Sequence, residues 1–152
     1  MIAAQGKRIA ITARRDLTPQ LAAKIRTTMY ELVQGGAKAL VFGGARGGDT
    51  IALIAAYEAK VALNSNVTLL VIVPGTVDEQ PPEARLAIRQ CASAVIEMRQ
   101  NLSHYASRQN RNLRQLAKSD FLVAFWDGKR SGGTWNCIAA AETAEMEVVK
   151  IV

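Results

Sequence analysis

The chain has 152 residues, 49% hydrophobic and 21% charged, the proportions of a soluble globular protein with a core of its own. Its apolar runs fall far short of a membrane span and no charged, cleavable apolar leader opens it, so a single cytoplasmic domain over residues 1–152 is expected. The net charge of +6 is unevenly placed: residues 1–60 carry nine basic and four acidic side chains and residues 99–135 seven and two, while the remaining segments are net acidic.

KRIAITA (7–13) alternates and is β-branched, which predicts a first strand. Thr18-Pro19 supplies a cap and a proline at the first helical position, opening a helix to about Val33 that Gly35-Gly36 stops. ALVFGG (39–44) predicts a second strand, and residues 49–62 an alanine-rich helix capped by Asp49. VTLLVIVPG (67–75) is nearly all apolar, as in a strand buried on both faces of a parallel sheet. A helix over 81–92 and a short strand over 94–98 follow.

Residues 103–118 predict an amphipathic helix with Ser103 as its cap and Arg108, Arg111, Arg114 and Lys118 on a solvated arc. FLVAFW (121–126) is a further buried strand, then come the loop DGKRSGGT, a helix over 134–146 and a closing strand VVKIV. Strand and helix alternate throughout. The expected fold is α/β: one Rossmann-like, doubly wound, mostly parallel sheet flanked by helices.

Ligands of such sheets bind beyond the carboxyl ends of the strands, and both glycine-rich loops fall at that edge. Gly43, Gly44, Ala45, Arg46, Gly47 and Gly48 follow the second strand; Ser131, Gly132, Gly133 and Thr134 follow FLVAFW. Glycine lets backbone N–H groups approach an anion, and the helix after each loop adds the positive end of its dipole. Arg46 offers a bidentate fork and Thr134 a hydroxyl. Each loop alone is as well explained as a tight turn, but two at one edge, each in a basic block, favour a phosphate-bearing ligand. Asp49 is then a brace that holds the first loop in shape.

Arg14 and Arg15 end the first strand at the same edge, with solvated charge and ligand contact equally open to them. Asn110 and Arg111 reach the crevice from the helix before FLVAFW. Trp126 and Trp135 flank the second loop, either as core residues or as platforms for base stacking. Neither loop is a Walker A or a G-x-G-x-x-G motif, so ATP hydrolysis and NAD chemistry are disfavoured. With a single histidine, His104, no metal, cofactor or catalytic triad is expected. Cys91 and Cys137 are expected as packed thiols.

FGGARGGDTIALIAA resembles the G-x-ARG-x-D-x-x-A signature of the DNA-processing protein A (Smf) family, which lies in a Rossmann-like superfamily with the LOG (Lonely Guy) proteins. VPGTVDEQPPEARLAIRQ, QNRNL and SGGTWNCIAAA are similar to further elements of that family in order and spacing. The resemblance implies contacts to single-stranded DNA or a nucleotide at Gly44, Arg46, Gly47, Asn110, Arg111, Ser131, Gly133 and Thr134. It also implies a homodimer and a recombination-protein partner. Gln109 replaces the first arginine of the RNR element, and Ala13 a glycine common in relatives. Phosphoribohydrolases of the LOG type carry a glutamate where this chain has Cys137, so a binding protein for single-stranded DNA is favoured over that enzyme. A nucleotide-sensing module is the alternative.

Overall fold

The computed structural model describes residues 2–152. Six strands form one sheet: β1 (Arg8–Ala13), β2 (Ala39–Phe42), β3 (Thr68–Val73), β4 (Ala94–Glu97), β5 (Phe121–Phe125) and β6 (Val148–Ile151). Their spatial order is β4-β3-β2-β1-β5-β6, and every pairing is parallel, in keeping with the expected doubly wound sheet. The chain winds outward from β1 to β4, then returns across the sheet to place β5 on the other side of β1. That reversal puts the switch point between β1 and β5, where a crevice opens above the strand ends.

The connecting helices are α1 (Pro19–Gln34), α2 (Gly48–Ala62), α3 (Pro82–Cys91), α4 (Tyr105–Ala117) and α5 (Gly132–Thr143). Strand alternation divides the core into two layers. Ile9 and Ile11 of β1 with Phe121, Val123 and Phe125 of β5 face Ile25 and Met29 of α1 and Leu53 and Ala56 of α2. Ala10, Leu122 and Ala124 face the other way, against Leu116 of α4 and Cys137, Ile138 and Ala141 of α5. The four central strands, β1, β2, β3 and β5, are mostly buried because both faces are covered, which explains why they read as nearly unbroken apolar runs, whereas the edge strands β4 and β6 are partly exposed. Both cysteines are buried and free.

Thr18 caps α1 as expected, its Oγ1 accepting the Leu21 N–H at 3.1 Å. Three other boundaries differ from the sequence reading. Asp49 is not the cap of α2: Gly47, at φ +78°, takes that place, and Asp49 lies inside the first turn. His104 rather than Ser103 caps α4; Ser103 instead donates its N–H and Oγ–H to Asn101. The last helix begins at Gly132, two residues before Thr134, and ends at Thr143, where Glu145 turns left-handed and the Met146 N–H closes onto Ala141 O. A short 3-10 turn over Val77–Glu79, not evident from the pattern, precedes α3. Among the described residues no helix is long and apolar enough to cross a membrane.

Candidate nucleic-acid interface

The tail of β1, the first turn of α2, the exposed side of α4 and the loop after β5 enclose a cavity of about 530 Å³ above the switch point. Arg14 and Arg15 come from the segment just after β1, Asp49 from α2, and Tyr105, Arg108, Arg111, Asn112 and Gln115 from α4. Trp126, Asp127 and Ser131 through Thr134 close the far side. A second lobe of about 280 Å³ shares Arg15, Ala45, Arg108 and Arg111 with the first and extends to Arg46, Gln80, Pro81 and Leu102. Arginines thus outnumber carboxylates in both lobes, and the shared wall holds three of them.

The two glycine loops differ in what their missing side chains permit. A Cβ on Gly43 would lie 2.9 Å from Arg111 Nη1, and one on Gly44 2.8 Å from Val73. Gly47 faces the Arg15 backbone so closely that no side chain fits. These glycines let the first loop pack on its own protein, and Gly43, Gly44 and Gly47 line neither lobe. The start of α2 is likewise filled from within, since Gly48 N–H donates to Arg14 O at 3.0 Å. Of the loop expected to offer its Gly43–Arg46 backbone to a phosphate, Ala45 and Arg46 are the residues that line the cleft.

The second loop is open. A Cβ on Gly132 or Gly133 would meet no atom within 4 Å, and both glycines line the larger lobe with Ser131 and Thr134. Ser131 caps α5 without a side-chain hydrogen bond, and among the described residues no protein acceptor meets the N–H groups of Gly133 and Thr134. A helix start with free amides and no side chain in the way suits an anion.

Arg111 crosses the base of the cleft. Its Nη1 donates to Gly43 O, and its Nε donates to Asn112 Oδ1 at 2.9 Å. Asp49 accepts the Ala13 N–H at 3.1 Å and the Ala45 N–H at 3.4 Å, joining β1 to the first loop. Burial pushes the Asp49 carboxyl up to about 6, against the pull of the Arg111 guanidinium and the two N–H donors. Burial also draws Arg111 down, and the Asp49 charge opposes that shift. Cys137, where the LOG motif has its glutamate, is buried, and desolvation pushes its thiol up to about 12. It holds its proton at neutral pH and is no thiolate nucleophile.

Arg15, Arg111 and Ser131 through Thr134 thus meet in the larger lobe and Arg46 in the smaller. Asn110 lines neither, because it turns outward to Gln100, with Nδ2 donating to Oε1 at 3.2 Å. Trp126 and Trp135 stack on each other with centroids 5.6 Å apart. Arg130 lies over the Trp135 ring and Lys150 over Trp126, so a base would have to displace a cation to stack there. Three residues of α4 escaped sequence reading. Arg108 belongs to both lobes rather than to a solvated arc. Tyr105 stands at the larger lobe and is 55% exposed. Gln115 is buried beneath, its Nε2 donating to Ile11 O and Val41 O, both at 2.8 Å, where β1 and β2 part. An aromatic residue one turn before the arginine run was the one available signal for Tyr105.

A parallel sheet of this order with a basic cleft at its switch point defines a Rossmann-like α/β domain suited to anionic ligands. Solved structures with this fold include DNA processing protein A from Helicobacter pylori, described with its single-stranded DNA binding mode, at TM-score 0.76 and 22% identity over 96% of this chain and 65% of that one. DNA processing protein A from Streptococcus pneumoniae aligns at TM-score 0.72 and 18% identity, over 97% of this chain and 50% of that one. The Moco carrier protein from Chlamydomonas reinhardtii aligns at 0.67 and 20%, over 97% and 76%. The chain thus spans between half and two thirds of the length of the two DNA processing proteins. No protein-family model and no curated protein matches it.

Proposed function

We propose that this chain binds single-stranded DNA along the strand-end cleft, seating a backbone phosphate at the start of α5 and steering the strand with Arg15, Arg46, Arg108 and Arg111. The observation that carries the reading is the open α5 terminus at Gly132 and Gly133, set in a cleft with five arginines at its centre and edge. The fold shared with DNA processing protein A supports DNA over other polyanions. Tyr105, exposed at the mouth, supplies a face on which a base can stack.

A short oligonucleotide titrated against the protein at rising salt tests the proposal. Affinity should fall along a log–log line, at about 0.7 per phosphate neutralised, and Arg15→Ala with Arg108→Ala should flatten that slope. No binding at low salt, or binding indifferent to both substitutions, sinks the idea. Sedimentation of the same samples reads the homodimer that the resemblance implies.

A second reading is a free nucleotide or nucleotide-derived ligand. The size of the larger lobe favours it, since about 530 Å³ lies within the range of roughly 300–1,000 Å³ typical of small-molecule sites. The Moco carrier protein shares the fold and names a small ligand of its own. Saturable thermal stabilisation by a nucleotide, without any by oligonucleotides, would select this reading.

A further inference from the structure

We propose that the smaller lobe is a second nucleotide subsite, which takes the neighbouring residue of the same strand and makes an oligomer of two or more nucleotides the ligand that fills the cleft. The inference rests on the DNA-binding reading and adds to it where the strand goes after leaving the α5 terminus.

The two lobes are one cleft with a waist. Arg15, Ala45, Arg108 and Arg111 belong to both walls, so anything leaving the larger lobe in this direction passes between arginine side chains. At about 280 Å³ the smaller lobe falls just below the range of roughly 300–1,000 Å³ for independent small-molecule sites. As a continuation of the larger lobe it has room for an added sugar and base. The waist matches the phosphodiester between two nucleotides, where negative charge recurs along a strand.

The lining beyond the waist is of two kinds. Arg46 forms no salt bridge among the described residues and stands ready for an anion. Leu102, Pro74 and Pro81 contribute apolar side chains, which tolerate any base or sugar face. The one carboxylate there, Glu79, already accepts the Thr76 N–H at 2.9 Å and the Thr76 hydroxyl at 3.0 Å. The lobe is also built in advance. Gln80, 8% exposed, donates from Nε2 to Gly44 O at 2.9 Å and fixes the 3-10 turn against the first loop. A preformed subsite costs little ordering on binding, so a linked second nucleotide adds its contacts to those of the first.

The test compares thymidine 5′-monophosphate, the dinucleotide pTpT and a ten-residue oligothymidylate at one low salt concentration. Wild type, Arg46→Ala and Leu102→Ala are measured, with thermal melting to confirm folding. In wild type, pTpT should bind about tenfold more tightly than the monophosphate, the scale of one added stacked base and its phosphate. Either substitution should bring that ratio close to one, and in Leu102→Ala the monophosphate affinity should stay within about twofold. A wild-type ratio near one overturns the subsite, as does a ratio that survives both substitutions or an equal loss for both ligands. If the monophosphate and the long oligomer both fail to bind wild type, the DNA-binding reading has failed and the subsite falls with it. Oligomer binding with an unaltered ratio overturns the subsite alone.

Discussion

The Asp49 carboxylate accepts the backbone N–H of Ala13 at 3.1 Å and so ties the first turn of α2 to the end of β1, 36 residues earlier in the chain. The same side chain takes the Ala45 N–H at 3.4 Å. One buried carboxylate thereby fixes the two segments whose tails, Arg15 and Arg46, reach the cleft.

That carboxylate gives the protein a pH dependence of known sign. Its pKa in the fold is about 6 against an ordinary carboxyl value of 3.8, so the folded state holds the proton through a range where the unfolded state has lost it. Stability from this group therefore falls as pH rises from about 4 to about 6. The cost is absent below that window and complete above it, on the order of 3 kcal/mol. Asp49→Asn should remove this part of the slope. Urea unfolding of both proteins between pH 4 and pH 7 measures it, and a difference that does not change with pH refutes the assignment.

Arg111 should matter to the fold as much as to a ligand. Its guanidinium ties Gly43 O and Asn112 Oδ1 and is the principal opposite charge near Asp49. Arg111→Ala leaves a buried carboxylate with less compensation and should destabilise by about 3 kcal/mol. It should also raise the Asp49 pKa further. Denaturant midpoints read the first effect, and carboxyl carbon NMR titration reads the second.

Glycine substitutions should separate packing from binding. Gly43→Ala drives a methyl against Arg111 and should cost about 1–3 kcal/mol. Gly133→Ala enters open space inside a helix, so stability should hold or rise by about 0.5 kcal/mol. Its added methyl narrows the approach to the α5 amides, and oligonucleotide affinity should fall. Melting curves beside binding isotherms distinguish the two variants; loss of stability in Gly133→Ala would contradict the geometry.

The aromatic residues should divide in the same way. Tyr105 is mostly exposed, so Tyr105→Leu should leave the melting temperature near wild type and weaken oligonucleotide binding by about 1 kcal/mol or more. Trp135 is stacked on Trp126 and covered by Arg130. Trp135→Ala should lose those contacts and about 1 kcal/mol of stability or more. Equal effects of the two substitutions on binding would restore the tryptophans as base platforms.

Much of this protein was legible along the chain. The apolar runs at β3 and β5 announced strands covered on both faces, and Thr18-Pro19 announced the start of α1, because these signals act within a few residues of themselves. Alternation of strand and helix then left a parallel, doubly wound sheet as the economical arrangement, and it placed both glycine loops at one edge.

Tertiary structure decided what those loops do. In sequence, Gly43 and Gly133 are alike; in space, one has Arg111 where a side chain would stand and the other has nothing within 4 Å. Asn110 and Arg111 are neighbours, yet the turn of α4 sends one out to Gln100 and the other under the cleft. Local pattern sets the conformation of a segment because its hydrogen bonds and apolar spacing are local. Which surface that segment meets depends on partners tens of residues away, and Asp49 finding Ala13 across 36 residues is a contact that only the folded chain makes.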